Sequence, residues 1–254
     1  MFKRFYYATP TPVRTGLFAL IVLLCCPSCD ARLDTRIYSN GRAEIMLKSA
    51  LLPGAGHLLK SLSAAGGGPV FDAAVLNRNF AAIPGVESSA LRNTGLDGLE
   101  GGIFLTSLTL FLNGARGNLA QKNGAGKFSA IVLEQSASGG TLTINLNMDT
   151  GQEFLLLISP DMVDYLSALM APVATGELIS RDAYLELVAS VYGKAVADEI
   201  RRTQFFLKFE LPGPVENVRG GTGKGSHAEF TIPLTDLLVL DQPLYYEVRW
   251  TPWR

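Results

Sequence analysis

The 254-residue chain is short of the residues that mark metalloenzymes, nucleic-acid binders and disulfide scaffolds. Its two histidines, His57 and His227, stand far apart, and its three cysteines all fall between Cys25 and Cys29, so the body of the chain offers no cluster of soft ligands for zinc. No metal and no cofactor are expected. The 22 Lys and Arg nearly balance the 23 Asp and Glu, with no basic run, which removes the electrostatic footprint of a nucleic-acid surface. With 48% hydrophobic and 18% charged residues the chain is neither disordered nor a polytopic membrane protein.

Catalytic motifs are missing as well. A phosphate loop needs Ser or Thr after its Gly-Lys, yet Gly126-Lys127 is followed by Phe128 and Gly223-Lys224 by Gly225. The required glycines five residues ahead are replaced by Gln121 and Val218. Gly66-Gly67-Gly68 follows a helical pattern rather than a strand, against a dinucleotide fingerprint. A Ser-His-acid triad would depend on His57 or on His227 in its Gly-rich turn, and no G-x-S-x-G elbow is present. Glu100, Glu134, Glu153, Asp161 and Asp164 are scattered acids with no readable pairing. The chain reads as a binding protein, not an enzyme, and a hydrolase using either histidine is the least supported alternative.

What is present starts at the N-terminus. Lys3, Arg4 and Arg14 precede the uncharged stretch Gly16 to Cys26, the layout of a charged n-region and an apolar h-region. As a helix, eleven residues rise about 16 Å, half of a bilayer's hydrocarbon core, so cleavage is expected rather than spanning. A cysteine just after the apolar run resembles a bacterial lipobox. Ser28 supplies the small residue before Cys29, while Cys26 and Pro27 depart from the usual pattern in the loose manner of spirochaetal lipoboxes. Cys29 ranks first for lipidation and Cys26, with Leu23 three residues ahead, second. The expected organisation is a lipoprotein signal peptide over residues 1–28 and a single domain over 29–254. Cleavage would remove three of the 22 basic and none of the 23 acidic residues, giving a mature net charge of −4 with no cysteine left for an internal disulfide. Attachment would come from two or more acyl chains at about 0.8 kcal/mol per buried methylene, not from charge.

In the mature chain, Leu33, Thr35 and Ile37 alternate with polar residues, Asn40-Gly41 follows, and Ala43, Ile45 and Leu47 alternate again, the pattern of a β-hairpin. Asp72 is a helix cap ahead of Ala73, Leu76 and Phe80, and Pro84-Gly85 ends that helix. Strands are expected near Val86 to Asn93 and Gly98 to Leu105, whereas Phe104 to Leu112 fits a buried strand or a buried helix. Phe128 to Glu134 and Thr141 to Asn147 form a second hairpin across Ser138-Gly139-Gly140. Helices follow at Asp161 to Met170, after the cap Ser180, and at Lys194 to Thr203, before strands at Gln204 to Leu211, Glu216 to Arg219, Ala228 to Ile232 and Leu244 to Trp250. This is an α+β class. The expected form is a largely antiparallel sheet with an N-terminal hairpin, helices on one side, a helical insertion around 148–203 and C-terminal strands closing the sheet.

Phe205 to Leu211 ends in Pro212-Gly213, and a short strand and a Gly-rich turn lead to Ala228-Glu229-Phe230-Thr231-Ile232, Asp236-Leu237-Leu238 and the final Tyr245-Tyr246-Glu247-Val248-Arg249-Trp250. This order, with a cysteine soon followed by an Asn-Gly hairpin, resembles LppM-type bacterial lipoproteins. The resemblance covers about fifty residues at the C-terminus and twenty at the N-terminus. It implies an exported, membrane-attached α+β domain that binds lipid or glycolipid of the envelope and carries no catalytic residues. Relatives that continue into a C-terminal transmembrane helix differ from this sequence, which reaches Arg254 four residues after Trp250, so no second anchor is expected.

Apolar helix positions Leu58, Leu59, Leu62, Met162, Leu166, Leu169 and Met170 are the candidate groove for acyl chains, with core packing as their ordinary role. Trp250 is expected to pack at a strand end and Trp253 to be exposed. The expected partners are a membrane, through the lipid anchor, and an envelope lipid or glycolipid. The alternative is a structural or adhesive lipoprotein that binds another envelope protein.

Overall fold

The computed structural model describes residues 31–50, 54, 72–113, 130–151 and 166–252. Strands β1 (Ala31–Ile37) and β2 (Ala43–Ala50) form the N-terminal hairpin, in register from Ile37 opposite Ala43 to Arg32 opposite Lys48. Their burial alternates strictly along β1, with Ala31, Leu33, Thr35 and Ile37 buried and Arg32, Asp34 and Arg36 outward. The turn works because Gly41 adopts φ +82° and the Asn40 side chain accepts a hydrogen bond from the Arg42 N–H at 3.1 Å.

Helix α1 (Ala73–Ala81) then leads into β3 (Val86–Thr94) and β4 (Gly98–Leu105). Asp72 caps α1 by accepting from the N–H groups of Ala74 and Val75. The helix buries Leu76 and Phe80, worth about 1.5–3 kcal/mol each. The ambiguous run from Phe104 to Leu112 divides: the strand stops at Leu105 and residues 108–113 are helical, with Leu108 and Phe111 buried. A single periodicity had to serve two elements there.

The second hairpin is β5 (Ile131–Ser136) and β6 (Gly139–Leu146), whose glycines lie within the strand rather than in the turn. Next come α2 (Pro172–Thr175), α3 (Arg181–Tyr192) and α4 (Lys194–Arg202). Ser180 caps α3 through the Ala183 N–H, and the α3 tyrosines Tyr184 and Tyr192 donate to the carbonyls of Leu169 and Ala168. Strands β7 (Gln204–Glu210), β8 (Val215–Arg219), β9 (Thr222–Lys224) and β10 (His227–Pro233), the short helix α5 (Leu234–Val239) and β11 (Leu244–Trp250) complete the order. The Asp-Leu-Leu segment is thus helical, and α5 packs against α2, α3, α4 and β10.

The strands form an α+β arrangement of two sheets. The larger has the order β3-β4-β2-β1-β7-β10-β9 and the smaller β5-β6-β11-β8. Among the described residues all pairings are antiparallel except β1 with β7, which run parallel with Leu33 opposite Leu207. The C-terminal strands therefore do not close one sheet: β7, β10 and β9 extend the larger and β8 and β11 build the smaller. Alternation marks which residues of a strand point inward, but not which sheet receives the strand. The inner faces meet in one core, where Phe230 of the larger sheet packs edge-on against Phe209 of the same sheet and Tyr246 of the smaller one, with centroids 5.9 and 5.5 Å apart.

Candidate binding surfaces

Two recesses lie on opposite faces of the larger sheet. The inner one is a cavity of about 110 Å³ between the sheets. Leu33, Ile45, Phe205 and Phe209 bound it from the larger sheet, and Leu142, Ile144 and Leu146 from the smaller. Thr35 is the one lining residue with a hydroxyl. Leu112, Ile131 and Leu237 line it while only partly buried, which makes them its rim. These side chains gather because period-2 patterning in both sheets aims apolar residues at the same gap.

The outer recess is a groove of about 470 Å³ across β2, β1, β7 and β10. Register sets its residues in rows. Arg32, Phe206 and Thr231 form the first, Met46, Asp34, Lys208 and Glu229 the second, and Glu44, Arg36, Glu210 and His227 the third, while Lys48, opposite Arg32 on β2, stands outside the lining and faces Glu100 of β4. In the second and third rows most charges are satisfied locally. Lys208 pairs with Glu229 at 3.1 Å, Arg36 with Glu210 at 2.7 Å, and Glu44 accepts from the Tyr38 hydroxyl. The Glu210 carboxylate keeps the Arg36 guanidinium above its ordinary pKa, so it stays charged throughout. Asp34 differs: its Oδ1 is shielded from solvent and has no hydrogen-bond partner. Arg32 and Lys48 have no ion-pair partner among the described residues. Met46, 49% exposed, and the half-buried Phe206 add apolar surface.

A third cluster lies on the smaller sheet. Glu247 accepts from the Tyr245 hydroxyl and from Arg249 Nε, while the Arg219 guanidinium sits 4.7 Å from the Tyr245 ring centroid. The tyrosine hydrogen bond, reinforced by Arg249, holds the Glu247 carboxyl below its ordinary value, and the same bond raises Tyr245. Both carboxylate oxygens are engaged, so the cluster is a closed network.

The candidate groove residues from sequence are distributed otherwise. Leu166 and Leu169 are each only 1% exposed, packed in the filled core beside α3, and Met170 is half-buried with φ 53° where its helical turn ends. None of the three lines the inter-sheet cavity. Their helical spacing reported a buried face, and that face is occupied. Leu58, Leu59, Leu62, Met162, Cys29, His57 and Trp253 lie outside the described residues. Trp250 is buried against Gly140, and His227 is exposed at the groove. Among the described residues there is no group of His, Cys, Asp and Glu arranged to hold a metal, and no helix long and apolar enough to cross a membrane.

No protein-family model matches the chain, and neither does any curated protein. Among solved structures, the NMR structure of the folded domain of LppM from Mycobacterium tuberculosis matches it with a TM-score of 0.39 and 11% sequence identity, over 89% of this chain and 91% of that one.

Proposed function

We propose that this chain is an exported lipoprotein, tethered to a membrane through Cys29, whose domain shelters part of an acyl chain of an envelope lipid or glycolipid between its two sheets. The observation that carries the reading is the apolar cavity bounded by Leu33, Phe205, Leu142 and Ile144. An apolar space of this kind stays dry, because water entering it would find no partners. At about 110 Å³ it is smaller than the roughly 150 Å³ cavity that takes benzene, so it suits the end of a chain rather than a whole lipid.

Native mass spectrometry of the purified chain tests this, using palmitate as the probe. The expected result is a retained acyl species, diminished by Ile144→Phe, which fills the cavity; a chain that retains none with or without added palmitate overturns the reading. The tether is tested separately by intact mass from the native membrane, where cleavage before Cys29 plus acyl chains is expected, and loss of both in Cys29→Ala. The alternative, docking on another envelope protein, draws on Leu178, 83% exposed ahead of α3. Envelope crosslinking that yields one defined partner, lost in Leu178→Ser, would favour it.

A further inference from the structure

The start of β1 marks one end of the larger sheet as the tether end. Cys29 precedes Ala31 by two residues, a reach of at most about 7 Å. Arg32 pairs with Lys48 and Ala50 with Gly98, so Gly98 stands one position beyond Ala31 along the strands. The turn from β3 to β4 carries Leu96 at its apex, up to about 6.6 Å farther out. With the order β3-β4-β2-β1, that apex lies roughly 10–14 Å to one side of β1. An acylated Cys29 and the Leu96 side chain therefore reach a common plane.

Leu96 is 54% exposed between Gly95, at φ +72°, and Asp97, in a turn where polar residues are the rule. A single exposed leucine is ordinary on a protein surface, and its place beside the tether is what sets this one apart. Val75 is exposed in the first turn of α1, which is joined to the end of β3 by the hydrogen bond from the Ala73 N–H to Asn93 Oδ1. On the other side of β1, α4 enters β7 at this same end, since Phe205 stands opposite Ala31. The last residue of α4, Arg202, is exposed, donates from Nε to the Asp198 carbonyl, and has no carboxylate partner among the described residues. Arg201 is held by Asp198 in an exposed pair, which is weak. Of the acids near Leu96, Asp97 has its Oδ1 shut off from solvent and Asp72 caps α1.

We propose that this end of the domain docks on a bilayer containing anionic phospholipid, with Leu96 inserted at the headgroup boundary and Arg202 on the lipid phosphates. Apolar side chains enter that boundary while cations beside them meet anionic headgroups. With the three leader cations removed, the chain has 19 basic against 23 acidic residues. An anionic surface therefore repels the domain as a whole and attracts this end, which makes charge a means of orientation rather than of attachment. The choice of this end rests on the tether at Cys29 proposed above; the inter-sheet cavity plays no part in it.

The test places the acylated chain, purified from membranes, in vesicles of mixed phosphatidylcholine and phosphatidylglycerol. An environment-sensitive dye is attached at Leu96→Cys or, at the opposite end, at Leu110→Cys. Leu110 is as exposed as Leu96, but its helical turn adjoins the first hairpin turn, where the Leu108 N–H donates to the Gly41 carbonyl. Nitroxide-bearing lipid is expected to quench the dye at Leu96 about threefold or more over the dye at Leu110. Arg202→Gln, or vesicles of phosphatidylcholine alone, should reduce that quenching. Lys224→Gln should not, because that exposed cation lies at the level of Arg36, toward the far end of β1. Equal quenching at the two positions, stronger quenching at Leu110, or quenching indifferent to Arg202→Gln and to phosphatidylglycerol overturns the proposal. Intact mass of the same sample reads the tether separately: covalent acyl mass with equal quenching overturns the docking alone, and absence of that mass overturns both. Palmitate retention should be the same in Leu96→Ser as in the parent chain, which keeps failure of this surface apart from failure of the cavity.

Discussion

Glu247 illustrates how much one residue's role depends on its neighbours. In sequence it is an unremarkable acid in an alternating strand, whereas in the fold Tyr245, Arg249 and Arg219 surround it. A carboxyl depressed in the folded state stabilises above its unfolded pKa, and that contribution is lost as pH falls through the folded value. Urea unfolding midpoints at pH 7 and pH 3 should therefore differ less in Glu247→Gln than in the parent chain, because the variant lacks the titrating group. Gly140 is a stricter case, since a Cβ there would fall 2.2 Å from Trp250 Cζ2 and 2.8 Å from the Glu134 carbonyl oxygen. The indole is only 3% exposed and cannot swing away. Gly140→Ala is expected to cost about 1–3 kcal/mol, read as a lower melting temperature. Its position beside Gly139 suggested a turn; only the path of β11 reveals that the glycine exists to admit a tryptophan.

At the level of elements, α1 guards an edge. β3 borders the larger sheet, and the Asn77 side chain both donates to the Leu91 carbonyl and accepts from the Leu91 N–H, at 2.8 and 2.9 Å. The amide thus stands in for one peptide unit of a missing neighbour strand, which blunts an edge otherwise open to pairing with another chain. Asn77→Ala leaves both Leu91 groups unpaired and is expected to cost about 1–3 kcal/mol, with increased association visible by light scattering. Asn77→Asp keeps the acceptor alone and should fall between. The first hairpin turn, the caps at Asp72 and Ser180 and most strand limits were legible in sequence because they depend on neighbours a few residues away. The role of Asn77 was not, because its partner lies fourteen residues off on another element.

For the molecule as a whole, the division of strands between two sheets decides where the recesses lie. The inward residues Leu33, Ile45, Leu142 and Ile144 were readable as strand faces, but the gap between them arises only when two sheets meet, which no local pattern encodes. The outer groove is equally non-local, since Phe206 and Lys208 join Arg32 and Asp34 on one face only through the parallel register of β1 with β7. Phe230 couples the sheets through its contacts with Phe209 and Tyr246. Phe230→Ala is expected to lose about 3–5 kcal/mol while far-UV circular dichroism and tryptophan fluorescence still report one coincident transition.

The parallel seam also sets a clock. The strand that begins at Ala31 sits at the middle of the larger sheet, yet one of its two neighbours, β7, emerges far later, with Arg36 and Glu210 separated by 174 positions. At synthesis rates of about 5–20 residues per second, that interval is on the order of 10–35 s. Throughout it β1 has an unpaired flank, so the domain cannot finish folding from its first half. If the chain is exported as proposed above, that delay keeps it unfolded while it crosses the membrane.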